Sequence, residues 1–326
     1  MAWGEFELIE TCFKPLAISD AALGLTDDGA LLPPTDSGRQ LVIVKDALVA
    51  GVHFLESDPP ATIGAKALAV NLSDLAAMGA EPLVYLLALM RPRSFGDEAL
   101  SDLVAGLASM QERHSLSLIG GDTVATPGPL ALSITAVGWA PPSGAVRRSG
   151  ARPSDKLWVS GTLGDAALGL RLLQKNLALG ENAKAYAIDR YRSPQPKTEL
   201  GRALAGVATA MIDVSDGLVQ DAGHLASASG VALVIHGPAI PLWPGFRQVP
   251  EMVELALTGG DDYQLLFTAP ADATSTLAEI GVRLDETLSC IGEVEAGSGV
   301  RVLSAEGEDL TPTRRGWNHA FSDDQE

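Results

Sequence analysis

The stretch AVNLSDLAAMGAEP, from Ala69 to Pro82, predicts a helix that ends at a glycine and stops before a proline. Its apolar stripe begins just upstream and recurs every three or four residues, at Ala67, Val70, Asp74 and Met78. Asp74 therefore lies on the face that a helix normally buries, where a carboxylate without a partner is costly. We interpret Asp74 as a residue of an inward-facing functional site.

The length and the charge of the chain limit the classes of protein to which it can belong. Its 326 residues predict two domains, and 46% hydrophobic against 20% charged residues is typical of a well-folded globular protein. The formal net charge of −18 disfavours binding to a nucleic-acid backbone or to an anionic membrane surface. An acidic chain is suited instead to metal cations, or to phosphates presented through metal cations.

Cysteine usage and hydropathy predict a cytoplasmic protein. Cys12 and Cys290 are far apart, so neither a disulfide framework nor a zinc site is indicated. The N-terminal sequence MAWGEFELIE carries acidic residues and lacks the basic region and long apolar core of a signal peptide. The longest apolar run, Leu83 to Met90, is too short to span a bilayer.

Strand-like and helical segments alternate along the chain and predict an α/β or α+β fold of two domains. The predicted strands are Leu41 to Val44, which ends in Lys45-Asp46, and then Leu83 to Met90, Leu116 to Ile119, Leu130 to Trp139, Lys156 to Ser160, Ala210 to Val214, Val231 to His236 and Tyr263 to Thr268. We predict a helix over Asp97 to His114 and a long helical region after Gly164-Asp165. Residues 141–155 are rich in turn-forming and basic residues, so we place the boundary there, with domains 1–148 and 149–326.

Acidic residues recur beside glycine where the predicted elements end. The stretches are LTDDGA (25–30), VKDALVAGVHF (44–54), IGGDTV (119–124), IDVSDGL (212–218) and TGGDDYQLLF (258–267). Glycine lets the backbone approach a ligand closely, and converging carboxylates repel one another unless a cation is present. Carboxylate oxygens suit Mg²⁺, which binds them together with substrate phosphates. Together with Asp74, the pattern predicts magnesium-dependent phosphate chemistry.

Taken singly, these features have ordinary explanations. A lone DD or GGD sequence is usually a turn or a helix cap, and Ser215 and Asp216 can cap a helix that begins near Leu218. His53 can be a core or surface histidine, and Arg148 a solvated loop charge. Five clusters in one chain are harder to explain as independent turns. The chain has no P-loop motif and no protein-kinase signature set.

An ordered series of motifs resembles thiamine-monophosphate kinase, a family of the ATP-binding superfamily that includes aminoimidazole ribotide synthetase. The motifs are DDGALL, KDALVAGVHF, KALAVNLSDLAAMGAEP, LIGGDT, RSGARPSD, IDVSDGL, GGDDYQLLF and RGWNHAF. The resemblance extends from Trp3-Gly4-Glu5-Phe6 to Trp317. It implies transfer of the γ-phosphate of ATP to thiamine monophosphate, which gives thiamine diphosphate without a covalent phospho-enzyme. It also implies a homodimer whose N-terminal domains join their sheets into a barrel, with the active site in the cleft between an ATP- and Mg-binding N-terminal domain and a C-terminal domain that completes the nucleotide and substrate site.

The resemblance implies roles for particular residues. The implied ligands of several Mg²⁺ ions are Asp28, Asp46, Asp74, Asp122, Asp213 and Asp216. The implied nucleotide contacts are Gly121, Asp122, Arg148 and Ser215. The implied thiamine-phosphate contacts are His53, Asp261 and Trp317. The physical chemistry agrees, because Trp317 offers a flat face to a cationic thiazolium ring and the acceptor phosphate is already anionic, so no strong general base is needed.

The chain departs from the family pattern at some of these motifs. Thr26 and Val124 replace a usual glycine and threonine, Val44 and Lys45 replace small hydroxyl residues before Asp46, and Asp261 replaces a glutamate. The loss of two side-chain oxygens at Val44 and Lys45 leaves the number of metal ions open. No departure falls on the six implied metal ligands, which favours an active kinase.

Lys45 has two alternative placements. If the strand stays regular, alternation puts Lys45 and Asp46 on opposite faces, and Lys45 points away from the metal region. If the strand ends at Val44, the ammonium group reaches the phosphates and replaces a missing cation.

Two other functions stay open. The first is another enzyme of the superfamily. Selenophosphate synthetase would carry a reactive cysteine or selenocysteine in a glycine-rich N-terminal segment, and the hydrogenase-maturation protein a C-terminal cysteine. Cys12 lies in a predicted apolar helix and the tail has no cysteine, so both are disfavoured. The second is a non-catalytic thiamine-phosphate or nucleotide binder, which Val44 and Lys45 permit.

Overall fold

The computed structural model describes residues 7, 9–35, 38–175, 177–246 and 248–318. The Trp3-to-Phe6 motif and the acidic end of the chain lie outside these residues. The described residues form two sheets with helices packed against them. In the part of the chain that the structure describes, every helix is too short or too polar to cross a membrane.

The first sheet is formed from the N-terminal part of the chain. Its strands are β1 (Ala30–Leu31), β2 (Leu41–Val49), β3 (Glu81–Pro92), β4 (Ser117–Thr126) and β5 (Ala131–Trp139). The strand order is β1-β2-β5-β3-β4, with β3 and β4 parallel and the other neighbours antiparallel. β4 therefore lies at the edge of the sheet.

The second sheet follows in the C-terminal part. Its strands are β6 (Lys156–Ser160), β7 (Ala210–Val214), β8 (Ala232–His236), β9 (Gln264–Ala269), β10 (Leu288–Glu295) and β11 (Gly299–Leu303). The order is β11-β8-β10-β6-β9-β7, and β8 and β11 are parallel while the other neighbours are antiparallel. Two mainly antiparallel sheets with helices make this an α+β fold, as the alternation of elements predicted.

The helices pack against both sheets. They are α1 (Pro60–Ala77), α2 (Asp97–Arg113), α3 (Asp165–Gln174), α4 (Glu181–Arg192), α5 (Thr198–Leu204), α6 (Leu218–Ser229), α7 (Met252–Thr258) and α8 (Thr274–Leu284). Shorter 3₁₀ or π segments are Ile9–Phe13, Lys14–Leu16, Asp20–Leu25, Gly237–Ala239, Pro244–Phe246 and Ala271–Ala273. The long helical region predicted after Gly164-Asp165 is instead α3, α4 and α5, because Gly180, Pro194 and Pro196 interrupt it.

The helix that contains Asp74 differs from its predicted pattern. From Lys66 to Ala77, every residue of α1 except Asp74 is buried. The helix contacts β2 and β5 of the first sheet and β7 and β9 of the second. Because this helix is buried on all its sides, Asp74 does not interrupt a single apolar stripe. Asp74 is the one residue between Lys66 and Ala77 that is only partly buried. The helix ends where predicted, because Gly79 adopts the left-handed conformation (φ 66°).

Three strands of the first sheet also differ from expectation. β2 continues to Val49 because it pairs with β5 over its whole length, and β4 runs through the Gly120-Gly121-Asp122 sequence beside β3. Asp46 and Asp122 therefore lie within strands and not at sharp turns. β3 extends beyond both ends of the predicted strand, from Glu81 to Pro92, and its Leu83 and Leu86 are exposed.

Candidate active site

Three of the predicted metal ligands converge where the two sheets meet. Asp28 precedes β1, Asp74 lies in α1, and Asp213 lies near the end of β7. One carboxylate oxygen from each lies within 4.8 Å of the other two. The Asp28 side chain is 1% exposed and Asp213 is 3% exposed. Segments far apart in the sequence thus deliver three carboxylates to one largely buried point, which we call the aspartate centre.

Arg148 neutralises part of the charge of the aspartate centre. Its Nη2 lies 2.8 Å from Oδ1 of Asp28 and its Nε 3.0 Å from Oδ2. Its backbone N–H donates to Oδ1 of Asp27 (2.7 Å). A two-pronged contact of this kind is the strongest that a guanidinium makes with a carboxylate. Arg148 was predicted to contact the nucleotide, and the structure places it beside Asp28 at the metal region.

The negative charges of the other two carboxylates of the centre, Asp74 and Asp213, have too few positive charges near them. Burial, and then the charges of Asp46 and Asp213, raise the pKa of Asp74 well above its ordinary value. Burial and the charge of Asp28 raise the pKa of Asp213, although Ser73 Oγ donates a 2.6 Å hydrogen bond to its Oδ2. Crowded oxygen ligands with too little positive charge are suited to a hard divalent cation, so the residues present fit Mg²⁺.

Asp46 belongs to the same region. Its backbone N–H donates to Oδ1 of Asn71 in α1 (3.1 Å), which ties the middle of β2 to the helix of Asp74. Burial, followed by the charges of Asp216 and Asp28, raises the pKa of Asp46 to about 6. Asp46 thus interacts electrostatically with both the aspartate centre and the loop that carries Asp216.

The loop between β7 and α6 is held by a carboxylate that sequence reasoning missed. Oδ2 of Asp221 accepts hydrogen bonds from the backbone N–H groups of Ser215, Asp216 and Gly217, each at 3.1 Å. Ligand atoms of Asp216, Asp221 and His224 also lie within 4.8 Å of one another. The available signal was an acidic residue in the first turn of a helix that follows a glycine. Asp221 thereby fixes the backbone of two predicted site residues, Ser215 and Asp216.

Gly121 and Asp122 are not brought to the aspartate centre within the described chain. Both lie on the exposed strand β4, where Oδ1 of Asp122 accepts from the N–H of Thr123 (2.8 Å). A side chain at position 121 would clash with the carbonyl of Leu87 on β3, so the pairing of the two strands already requires glycine there. Their roles in binding metal and nucleotide stay predictions.

Two of the three predicted acceptor contacts lie around a buried lysine. Lys66 Nζ donates to Oδ2 of Asp261 (2.9 Å) and to the carbonyl oxygen of His53 (3.0 Å). Nδ1 of His53 accepts from the N–H of Val49 (3.0 Å), so a neutral ring carries its proton on Nε2. Sequence reasoning treated Lys66 only as part of a motif, although a lysine inside an apolar helical run signals a buried partner.

Trp317 is joined to the Asp216 loop through its backbone. Its N–H donates to the carbonyl of Asp216 (2.9 Å), and its own carbonyl accepts from Nε2 of Gln220 (2.6 Å). Trp317 as a whole is 45% exposed. The C-terminal segment is therefore fixed close to a predicted metal ligand, with Trp317 about half exposed.

A surface cavity lies away from these residues. It has a volume of about 920 Å³ and is lined in part by Arg39, Glu81, Trp139 and Arg202. None of the predicted site residues is among the described residues that line it. The site is therefore defined by its gathered charges and not by the size of a pocket.

Two family models match the chain on either side of this site. The N-terminal domain of AIR synthase related protein matches residues 26–140, and the C-terminal domain of AIR synthase related protein matches residues 152–304. Asp28 and Asp74 fall in the first match and Asp213 in the second. The fold and the shared site together define a protein of the AIR synthase related class.

Relatives that match over nearly the whole chain identify the family within this class. A thiamine-monophosphate kinase of Caulobacter vibrioides is 42% identical over 97% of this chain and 90% of its own length. The solved thiamine-monophosphate kinase of Stenotrophomonas maltophilia is 40% identical, with a TM-score of 0.76 over 93% of this chain and 97% of that one. A structure described as AaThiL complexed with AMPPCP and TMP is 33% identical, with a TM-score of 0.85 over 98% of this chain and 99% of that one. The chain belongs to the thiamine-monophosphate kinase family of enzymes.

Proposed function

We propose that this protein transfers the γ-phosphate of ATP to thiamine monophosphate, giving thiamine diphosphate and ADP by direct in-line transfer. The observation that carries the proposal is the aspartate centre, because carboxylate oxygens of Asp28, Asp74 and Asp213 lie within 4.8 Å of one another. A relative with the same fold along nearly its whole length is described in complex with AMPPCP and TMP, which supports two phosphate-bearing ligands for this chain.

The residues that would hold Mg²⁺ are the six aspartates of the prediction, of which Asp28, Asp74 and Asp213 are gathered in the structure. When bound, Mg²⁺ neutralises charge on the phosphates of a nucleotide. The chain's own residues orient these ligands. Ser73 and Asn71 hold Asp213 and Asp46 through hydrogen bonds. Asp221 holds the backbone at Asp216.

The acceptor side requires alignment more than proton abstraction. The phosphate of thiamine monophosphate is anionic near neutral pH, so it attacks without a strong general base. His53 would donate from Nε2 to this phosphate, since its Nδ1 accepts from Val49. Trp317 would stack on the cationic ring system, and Asp261 would contact the thiamine part.

We also propose the domain boundary at 148/149 and a homodimer formed through β4. β4 is an edge strand that exposes Leu118, Ile119 and Val124, and its neighbour β3 exposes Leu86. A long apolar edge favours pairing with another strand, and a second copy would continue the sheet towards a barrel. This supports a dimer that buries β4 and its residues Gly121 and Asp122. A molar mass of one chain by light scattering would refute it.

One assay tests the proposed reaction. The protein is mixed with ATP, Mg²⁺ and thiamine monophosphate, and thiamine diphosphate and ADP are separated by chromatography. We expect both products in equal amounts, and neither when Mg²⁺ is replaced by EDTA. Binding of both ligands without product would instead identify a non-catalytic binder, the alternative that Val44 and Lys45 leave open.

A further inference from the structure

Lys66 joins three segments of the chain. It lies in α1 and is 2% exposed, and its Nζ contacts Oδ2 of Asp261 and the carbonyl of His53. The same ammonium group lies 4.1 Å from the centre of the Tyr191 ring in α4. The three N–H groups of a lysine thus have three acceptors: a carbonyl, a carboxylate and an aromatic face.

The energetics of Lys66 favour a role beyond general stability. A buried ammonium costs several kcal/mol of desolvation, on the order of the attraction it regains from a partner, so a buried ion pair adds little net stability compared with apolar side chains. Such a pair does hold its partners in one geometry. The Asp261 side chain is 27% exposed, so Lys66 covers it from the helix side and leaves it accessible from the other.

Both carboxylate oxygens and the backbone N–H of Asp261 have hydrogen-bond partners. Its Oδ1 accepts from the hydroxyl of Tyr263 (3.1 Å), and its N–H donates to the carbonyl of Ser215 (2.8 Å). Its backbone adopts the left-handed conformation (φ 70°), which is unfavourable for a residue with a side chain. Lys66 is the only positively charged group among these partners. Its contact fixes the orientation of the Asp261 side chain on the strained loop.

The His53 loop is fixed from the other side. Lys66 donates to the carbonyl of His53. Five residues after His53, the buried Asp58 accepts at Oδ1 from Arg192 Nε (2.7 Å). Oδ2 of Asp58 in turn accepts from the N–H of Leu55 (2.9 Å). The imidazole ring therefore projects from a loop whose two ends are both anchored.

We propose that Lys66 is the positioning residue of the acceptor side, which sets His53 and Asp261 at a fixed separation from each other and from Asp74 on the same helix. The inference rests on the proposed function, because it assigns His53 and Asp261 to thiamine monophosphate. Lys66 itself contacts neither Arg148 nor Asp28, so its removal should affect the acceptor more than the nucleotide.

The test is the substitution Lys66→Met, which keeps the length of the side chain and removes its charge and donors. Lys197→Met is the matched control, because Lys197 is also mostly buried and paired, with Glu286 at 2.8 Å. We expect Lys66→Met to raise the KM for thiamine monophosphate by about tenfold, as loss of a charge-assisted hydrogen bond would. The KM for ATP should stay within about twofold of the parent value, and Lys197→Met should change neither.

A second pair of variants addresses folding. Lys66→Met leaves Asp261 without its cation, so the double variant Lys66→Met/Asp261→Asn removes both charges and is compared with Asp261→Asn alone. We expect the double variant to bind thiamine monophosphate more weakly than Asp261→Asn, because the His53 carbonyl has also lost its partner. Equal binding by these two variants, or an unchanged KM in Lys66→Met with an active parent, overturns the inference alone. A parent protein that makes no thiamine diphosphate overturns the proposed function and this inference with it.

Discussion

The aspartate centre and the ion pair of Lys66 with Asp261, which we call the Lys66 pair, bury different combinations of charge. At the aspartate centre, Asp28, Asp74 and Asp213 gather like charges around one arginine, and the pKa values of Asp74 and Asp213 rise. At the Lys66 pair, one cation meets one carboxylate at 2.9 Å. The first region is incomplete without added cations, whereas the second is neutral by itself. Under the proposed function, the first region would receive the metal and the second would hold the shape of the acceptor side.

The largest effect should follow removal of a charge from the aspartate centre. Asp74→Asn keeps the shape of the side chain but cannot neutralise Mg²⁺, so we expect a fall in kcat of at least about 100-fold, in the range found when an electrostatic group is lost from a polar active site. Circular dichroism should show a folded protein. Asp97→Asn, at a surface side chain paired with Arg91, is the control and should keep full activity. If Asp74→Asn has the same kcat as the parent protein at saturating Mg²⁺, Asp74 has no part in metal binding.

A carboxylate that accepts backbone hydrogen bonds sharpens the comparison. Asp221 lies beside Asp216 but is satisfied by three backbone N–H groups. We expect Asp221→Ala to lower the free energy of unfolding by about 3 kcal/mol, because buried donors lose a charged acceptor. Chemical denaturation measures this effect, with the exposed Asp189→Ala as the control. A loss no larger than that of Asp189→Ala would mean that the loop supports itself.

The acceptor side can be tested where it is most open. Replacement of Trp317 by Ala should raise the KM for thiamine monophosphate by about tenfold, in line with a partly desolvated cation–π contact. The KM for ATP should hardly change. Leu310→Ala, at a comparably exposed residue of the same segment, should leave both KM values as they are. An equal rise in the KM for both substrates in the Trp317 variant would mean that the C-terminal segment has a purely structural role.

The smallest effect is expected for a lysine next to the metal region in sequence but not in space. Lys45 is exposed, its Nζ lies 3.3 Å from Oγ1 of Thr135, and it alternates with Asp46 along β2. The hypothesis that Lys45 replaces a cation is therefore wrong for this chain. The Mg²⁺ titration of Lys45→Thr should overlay that of the parent. A shift to a higher Mg²⁺ requirement would restore the discarded alternative.

Much of the site follows from local patterns. The alternation of Lys45 and Asp46 on a strand has one outcome once the strand is regular. The end of α1 at Gly79 follows from glycine's access to the left-handed conformation. The carboxylates beside glycine at element ends predicted magnesium-dependent phosphate chemistry, whereas the choice of Asp28, Asp74 and Asp213 as ligands was implied by the family resemblance. The first two of these conclusions depend on residues within one or two turns of the chain.

Other features depend on contacts that no local pattern contains. Lys66 and Asp261 are 195 residues apart, and Arg148 and Asp28 are 120 apart. β4 continues through Gly120-Gly121-Asp122 only because β3 lies beside it.

The amino-acid sequence by itself thus determined which carboxylates are present, their spacing in each element, and the α+β class with two domains. The tertiary structure alone decided that Arg148 pairs with Asp28, that Lys66 joins His53 to Asp261, and that Asp221 holds the Asp216 loop. The physical reason is that periodicity sets the face on which a side chain lies, whereas its partner is set by packing between distant segments. Long-range electrostatic partners become fixed only when the two sheets close on α1.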